Sequence, residues 1–158
     1  MPRPELSVAV VMERRVLQNR WQSEAWDVIG VLAPYDDAGA PRPIVEQSGV
    51  SQWLYPGYRL QLYRDEAEGY YMNITAPEPR VFVLWRSEEG RAVPQFVTAS
   101  VHEASGWMDS GEEVGSAAMM SPVLEWVAEF VRENYRPEPN RKRIRPQSFK
   151  RPSERGEG

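Results

Sequence analysis

Between residues 6 and 99 the large apolar side chains recur mainly at every second position, and only beyond Ser100 does their spacing lengthen to that of a helix. A chain patterned this way builds a sheet first and covers it with helices afterwards. Leu6, Val8, Val10 and Met12 alternate through residues 6–16, and residues 26–32 (WDVIGVL) form the second strand, joined to the first by an aromatic connection from Trp21 to Trp26. A loop rich in turn residues covers 33–39, and 43–50 is a third, poorer strand. Pro56-Gly57 reads as a turn before a half-buried strand at 58–63, whose hairpin partner is 70–75 (YYMNIT) across the polar turn at 64–69. Residues 80–86 (RVFVLWR) are apolar on nearly every position, as a central strand is, and 95–99 follow after a turn.

Ser100 and Glu103 match a capping box and open a short helix that stops at Gly111. Ser121-Pro122 open a second helix, whose stripe of Val123, Val127, Phe130 and Val131 ends near Tyr135. The expected fold is therefore α+β: an antiparallel β-meander of about six strands packed with two C-terminal helices. The expected organisation is one α+β domain over 1–136 and a basic tail over 137–158. That tail carries only Ile144 and Phe149 as large apolar groups, so it is expected to be disordered when unbound.

Composition removes most chemistries. The chain has no cysteine and one histidine, His102, so disulfides, iron–sulfur ligation, cysteine nucleophiles and multi-histidine metal sites are excluded. No window holds the ~18 apolar residues a membrane helix needs, and the N-terminus lacks the pattern of a secretory signal. The expectation is a cytoplasmic protein with no membrane association. Charge is uneven: residues 137–158 hold seven Lys/Arg against three Glu, a balance of +4, while residues 1–136 hold 12 basic and 20 acidic side chains, a balance of −8.

Each candidate site competes with a plainer role. Asp65, Glu66 and Glu68 could hold a cation or act as an acid/base pair, but their order fits no calcium loop and a solvated turn suffices. His102 beside Glu103 has no partner nucleophile, and Glu103 is already occupied as a cap partner. Asn73-Ile74-Thr75 matches a glycosylation acceptor, which has no meaning in a cytoplasmic strand, and neither phosphate-binding glycine pattern occurs. No catalytic, metal or cofactor residues are assigned.

The chain resembles an uncharacterised bacterial domain family whose genes tend to lie near those for molybdenum- or tungsten-containing formate dehydrogenase. The resemblance rests on residues 11–15 (VMERR), 19–26 (NRWQSEAW), 30–32, 62–73 (LYRDEAEGYYMN), Pro77-Glu78-Pro79 and 81–83. It continues through 103–105, 126–130 and Pro137-Glu138-Pro139 into the Lys/Arg cluster. It implies an accessory role, in assembly or maturation of such an enzyme, and brings no activity with it.

Two functions are expected from these readings. The first is a non-catalytic accessory protein binding a protein partner, a formate dehydrogenase subunit or maturation factor, through Trp21, Trp26, Trp53 and the tail residues Arg141, Lys142, Arg143 and Arg145. For any single Trp, core packing is the commoner role. The second is a small-molecule-binding module, or an enzyme, using the 65–68 carboxylates with Tyr70 or Tyr71. Nucleic acid is disfavoured, because an acidic body repels it even though the tail could neutralise phosphates.

Overall fold

The computed structural model describes residues 4–137. Strands β1 (Glu5–Val16), β2 (Glu24–Leu32), β3 (Arg42–Gln47) and β4 (Val50–Gln61) make a four-stranded antiparallel sheet in the order β2-β1-β4-β3. Strands β5 (Arg80–Glu88), β6 (Arg91–Thr98) and β7 (Glu113–Ala118) make a three-stranded antiparallel sheet in the order β6-β5-β7. Three helices accompany them: α1 (Ala67–Ile74), α2 (Val101–Asp109) and α3 (Ser121–Asn134).

The two sheets share one core. Val8, Val10 and Met12 of β1, Val28 and Val31 of β2, and Leu60 of β4 are buried in the same cluster as Val81 and Val83 of β5 and Ala117 of β7. Helix α3 adds Val123, Val127, Phe130 and Val131, the stripe expected from its periodicity, and α1 adds Tyr70, whose ring meets Phe130 edge-on at 5.8 Å. Each such aliphatic side chain contributes about 1.5–3 kcal/mol when fully buried. At the seam β2 lies beside β7 and β4 beside β6. Gly115 permits the first approach, since a Cβ there would stand 2.7 Å from Val28 Cγ2. A second, smaller cluster of Ala9, Val11 and Leu54 lies on the opposite face of β1 and β4, where Leu32 and Tyr35 pack over it.

The α+β class, the antiparallel pairing and the central place of β5 agree with expectation. Four features differ. First, a single meander of about six strands gives way to seven strands in two sheets, with β1 between β2 and β4 and β5 between β6 and β7. Second, Pro56-Gly57 is not a turn: β4 runs through it, and the register against β1 shifts between Val8 and Val10, with Gly57 at φ 95°. A bulge absorbs the proline there without ending the strand.

Third, residues 70–74 of the expected strand 70–75 belong to a helix, α1, and Thr75 is its C-cap. Buried Asn73 fixes it, donating from Nδ2 to the carbonyls of Arg80 (2.7 Å) and Ala99 (2.8 Å) and accepting from Arg80 N–H (3.0 Å). Those tertiary bonds, with Tyr70 in the core, override the strand preference of YYMNIT. Fourth, β7 has no counterpart among the expected strands, because EVGSAA has too little apolar bulk to signal one. The basic residues of the tail, 138–158, and with them the expected disorder, lie outside the described residues. Among the described residues no helix is long and apolar enough to cross a membrane.

Candidate partner-binding surface

The β1–β2 hairpin ends in a tight, side-chain-built turn. Asn19 Oδ1 accepts from the backbone N–H groups of Trp21 (2.8 Å) and Gln22 (2.9 Å), and Leu17 N–H bonds to the carbonyl of Ser23. Trp21 stands on this turn 83% exposed, with the Arg20 guanidinium over its ring, 5.3 Å from the centroid. Val16, the last residue of β1 before this connection, is 48% exposed.

Below the tip the other two tryptophans are half-buried against the core. Trp26 pairs with Arg14 across β1–β2, and Trp53 pairs with Met12 across β1–β4, so both flank β1 near the hairpin end of the sheet. The indole of Trp26 donates to Glu24 Oε2 (3.2 Å), and Arg14 Nε lies 2.5 Å from Glu24 Oε1. That guanidinium holds the Glu24 carboxyl below its ordinary range. Trp53 carries Arg91 from β6 over its ring at 4.7 Å. Trp21 thus projects from the surface, while Trp26 and Trp53 are partly buried and pack against the core. Tryptophan and arginine side by side make the composition found at the centres of protein interfaces.

Arg141, Lys142, Arg143 and Arg145, the remaining contact candidates, lie outside the described residues.

The acidic 65–68 segment is helical, a short 3-10 turn at Arg64–Glu66 running into α1, and Glu66 and Glu68 meet different side chains. Glu66 Oε1 accepts from the Ser100 hydroxyl at 2.5 Å. Glu68 Oε1 lies 3.5 Å from His102 Nε2, and Asp65 is exposed beside the C-terminal end of α3. Tyr70 is fully buried, and its hydroxyl accepts from Tyr63 N–H at 2.9 Å; Tyr71 stacks on Tyr135 at 4.7 Å. The small-molecule reading therefore retains Asp65 and Glu68 and loses the Tyr70 hydroxyl. Among the described residues no group of three or more His, Cys, Asp or Glu side chains is placed to hold a metal ion.

Ser100 caps α2 as expected, accepting from Glu103 N–H at 3.1 Å. The reciprocal half of the box is replaced. Ser100 N–H donates to Thr98 Oγ1 (3.1 Å), and the Thr98 hydroxyl donates to Glu103 Oε1 (2.5 Å).

A family model matches residues 7–144 and carries the description "Protein of unknown function (DUF3305)". The chain belongs to that family. The match runs past the last described residue and takes in Arg141, Lys142 and Arg143 with the folded strands and helices. No curated protein and no solved structure matches the chain.

Sequence reasoning missed a groove of about 460 Å3 between β4, β6 and α2, walled by Tyr58, Tyr63, Phe96 and Trp107 with Glu103 among its lining. Phe96 is 56% exposed there. Its signal in the sequence is faint, since Phe96 and Trp107 lie eleven residues apart on different elements and only the turn at Ala99-Ser100 brings them together.

Proposed function

We propose that this member of the family is a non-catalytic accessory protein that docks on a protein partner through the tip of its β1–β2 hairpin. The observation that carries the reading is Trp21. An indole 83% exposed, on a turn ordered by Asn19, contributes nothing to the core and is already in place for a partner's pocket. Arg20 over its ring, and exposed Val16 at the end of the strand that leads into the turn, supply cationic and apolar groups of the kind that surround such anchors. The resemblance to a family encoded near formate dehydrogenase genes supplies the partner class: a subunit of a molybdenum- or tungsten-containing formate dehydrogenase, or a factor in its maturation. We place the protein in the cytoplasm, where such maturation would be served.

The test is co-purification. The full chain, tagged at the N-terminus and expressed in its native host under conditions that induce formate dehydrogenase, is expected to bring down dehydrogenase subunits or maturation proteins. Trp21→Ala is expected to weaken that binding roughly 30-fold, as loss of a hot-spot tryptophan does, with an unchanged melting temperature. Equal recovery by the wild type and the Trp21→Ala variant would remove the hairpin from the interface. Recovery of the bait alone from both would remove the accessory reading.

A further inference from the structure

The groove between β4, β6 and α2 is also a gap between two strand edges. β3 reaches β4 from Val50 to Leu54, and the stretch beyond, to Gln61, has β1 on one side and no ladder on the other among the described residues. β6 pairs with β5 and with no second strand there. The two edges meet at the groove, where the Tyr58 hydroxyl bridges them by donating to the Pro94 carbonyl at 2.7 Å.

The pairing shows which main-chain groups the ladders leave out. Leu62 N–H bonds to the Pro4 carbonyl, while the Ser7 carbonyl is taken by Tyr35 N–H on the other side of β1. Antiparallel pairs alternate, and Ser7 stands opposite Arg59 and Glu5 opposite Gln61, so the N–H and C=O of Arg59 and Gln61 point away from β1. On β6 the same alternation, set by Met119 N–H bonding to the Pro79 carbonyl, leaves Val97 pointing away from β5. Arg59, Gln61 and Val97 all line the groove.

Its side chains add a charge to this frame. Among the aromatic walls sits Glu103, whose carboxylate accepts from the Thr98 hydroxyl at 2.5 Å and enters no ion pair among the described residues. Arg59, the one cation of the lining, is already paired with Glu5. Glu103 is therefore the unbalanced charge of the groove, on a body whose residues 4–137 hold 20 acidic and 11 basic side chains.

We propose that the groove takes an extended segment of a partner protein, added as a strand along the open edge of β4, with an arginine or lysine side chain set against Glu103 and the aromatic rings. Main-chain bonds to Arg59 and Gln61 supply affinity, and the cation supplies selectivity. The site is separate from the hairpin tip: Tyr58 pairs with Val8 near the start of β1, roughly 26 Å along the strand from Val16 at its end. The inference goes beyond the hairpin reading and does not rest on it.

The probe is a fluorescein-labelled peptide of about six residues, the ordinary length of a strand, alternating valine with arginine. Fluorescence anisotropy with the full chain is expected to show saturable binding at a single site. Replacing the arginines by glutamate, or N-methylating alternate amides to remove the donors a strand needs, should each weaken it roughly ten-fold. Phe96→Ala, at an exposed position, and Glu103→Gln, which keeps an acceptor for Thr98, should each weaken it roughly five-fold or more. Trp21→Ala should leave it unchanged. Hydrogen exchange at the Arg59 and Gln61 amides is expected to slow roughly ten-fold in the saturated complex. No saturable binding at millimolar peptide would overturn the proposal. So would equal binding of the glutamate or N-methylated peptide, or a loss caused by Trp21→Ala and not by Phe96→Ala.

Discussion

At the scale of single residues the clearest case is a buried hydroxyl without a partner. Tyr55 is 3% exposed, and its phenolic oxygen meets no hydrogen-bonding group among the described residues. Burial pushes its pKa up, with Arg91 opposing and Glu88 assisting more weakly. Removing an unsatisfied hydroxyl removes its desolvation cost, so Tyr55→Phe is expected to stabilise the fold by about 1 kcal/mol in urea titrations; a loss of that size would mean that the hydroxyl is satisfied. Its neighbour Tyr58 is paired, donating to the Pro94 carbonyl at 2.7 Å, and burial raises it to about 12 from an ordinary 10.0. Because the folded value lies above the unfolded one, this contribution is complete below about pH 10 and is lost as the pH climbs toward 12. The melting temperature is expected to stay level from pH 8 to 9.5 and to fall above pH 10, less steeply in Tyr58→Phe. An identical slope in both proteins would assign the alkaline loss to other groups.

Among the elements, legibility depends on how far each one's signal is local. Strand β5 and helix α3 carry their own periodicity, and both are readable from it, α3 to within a residue of its cap. Helix α1 is not, because Asn73 and Tyr70 decide its conformation through groups 7 to 60 positions away. Trp21, Trp26 and Trp53 are equally conspicuous in the sequence. What separates the projecting one from the two packed ones is their place in the fold, Trp21 on the β1–β2 turn and Trp26 and Trp53 in strands paired with β1. The α1–α2 junction yields a prediction that reverses an ordinary rule. Glycine to alanine inside a helix usually stabilises by up to ~1 kcal/mol. At Gly69 the new Cβ would stand 2.2 Å from Ser100 Oγ, the atom that caps α2 and bonds Glu66. Gly69→Ala is thus expected to destabilise by about 2 kcal/mol or more through overpacking and a lost cap. An unchanged denaturation midpoint would show that Ser100 can move away at no cost.

For the molecule as a whole, the two sheets depend on being able to touch. Gly115 of β7 faces Val28 of β2, whose branched side chain has little rotamer freedom with which to retreat. Gly115→Ala should cost about 1–3 kcal/mol, and Val28→Ala in the same chain should recover part of it, a coupling that a thermodynamic cycle would expose. Additive losses would place the two residues out of contact. The outer margin of the larger sheet has a different consequence. There β3 closes the series with Pro43 in its second position, Arg42 and Glu46 around exposed Ile44, and a register break between Pro43 and Val45. A strand short of one amide donor and out of step with its neighbour is a poor template for further strands. The sheet therefore stops growing at β3, and the protein can display an uncovered indole at one end without its other margin recruiting copies of itself into fibres.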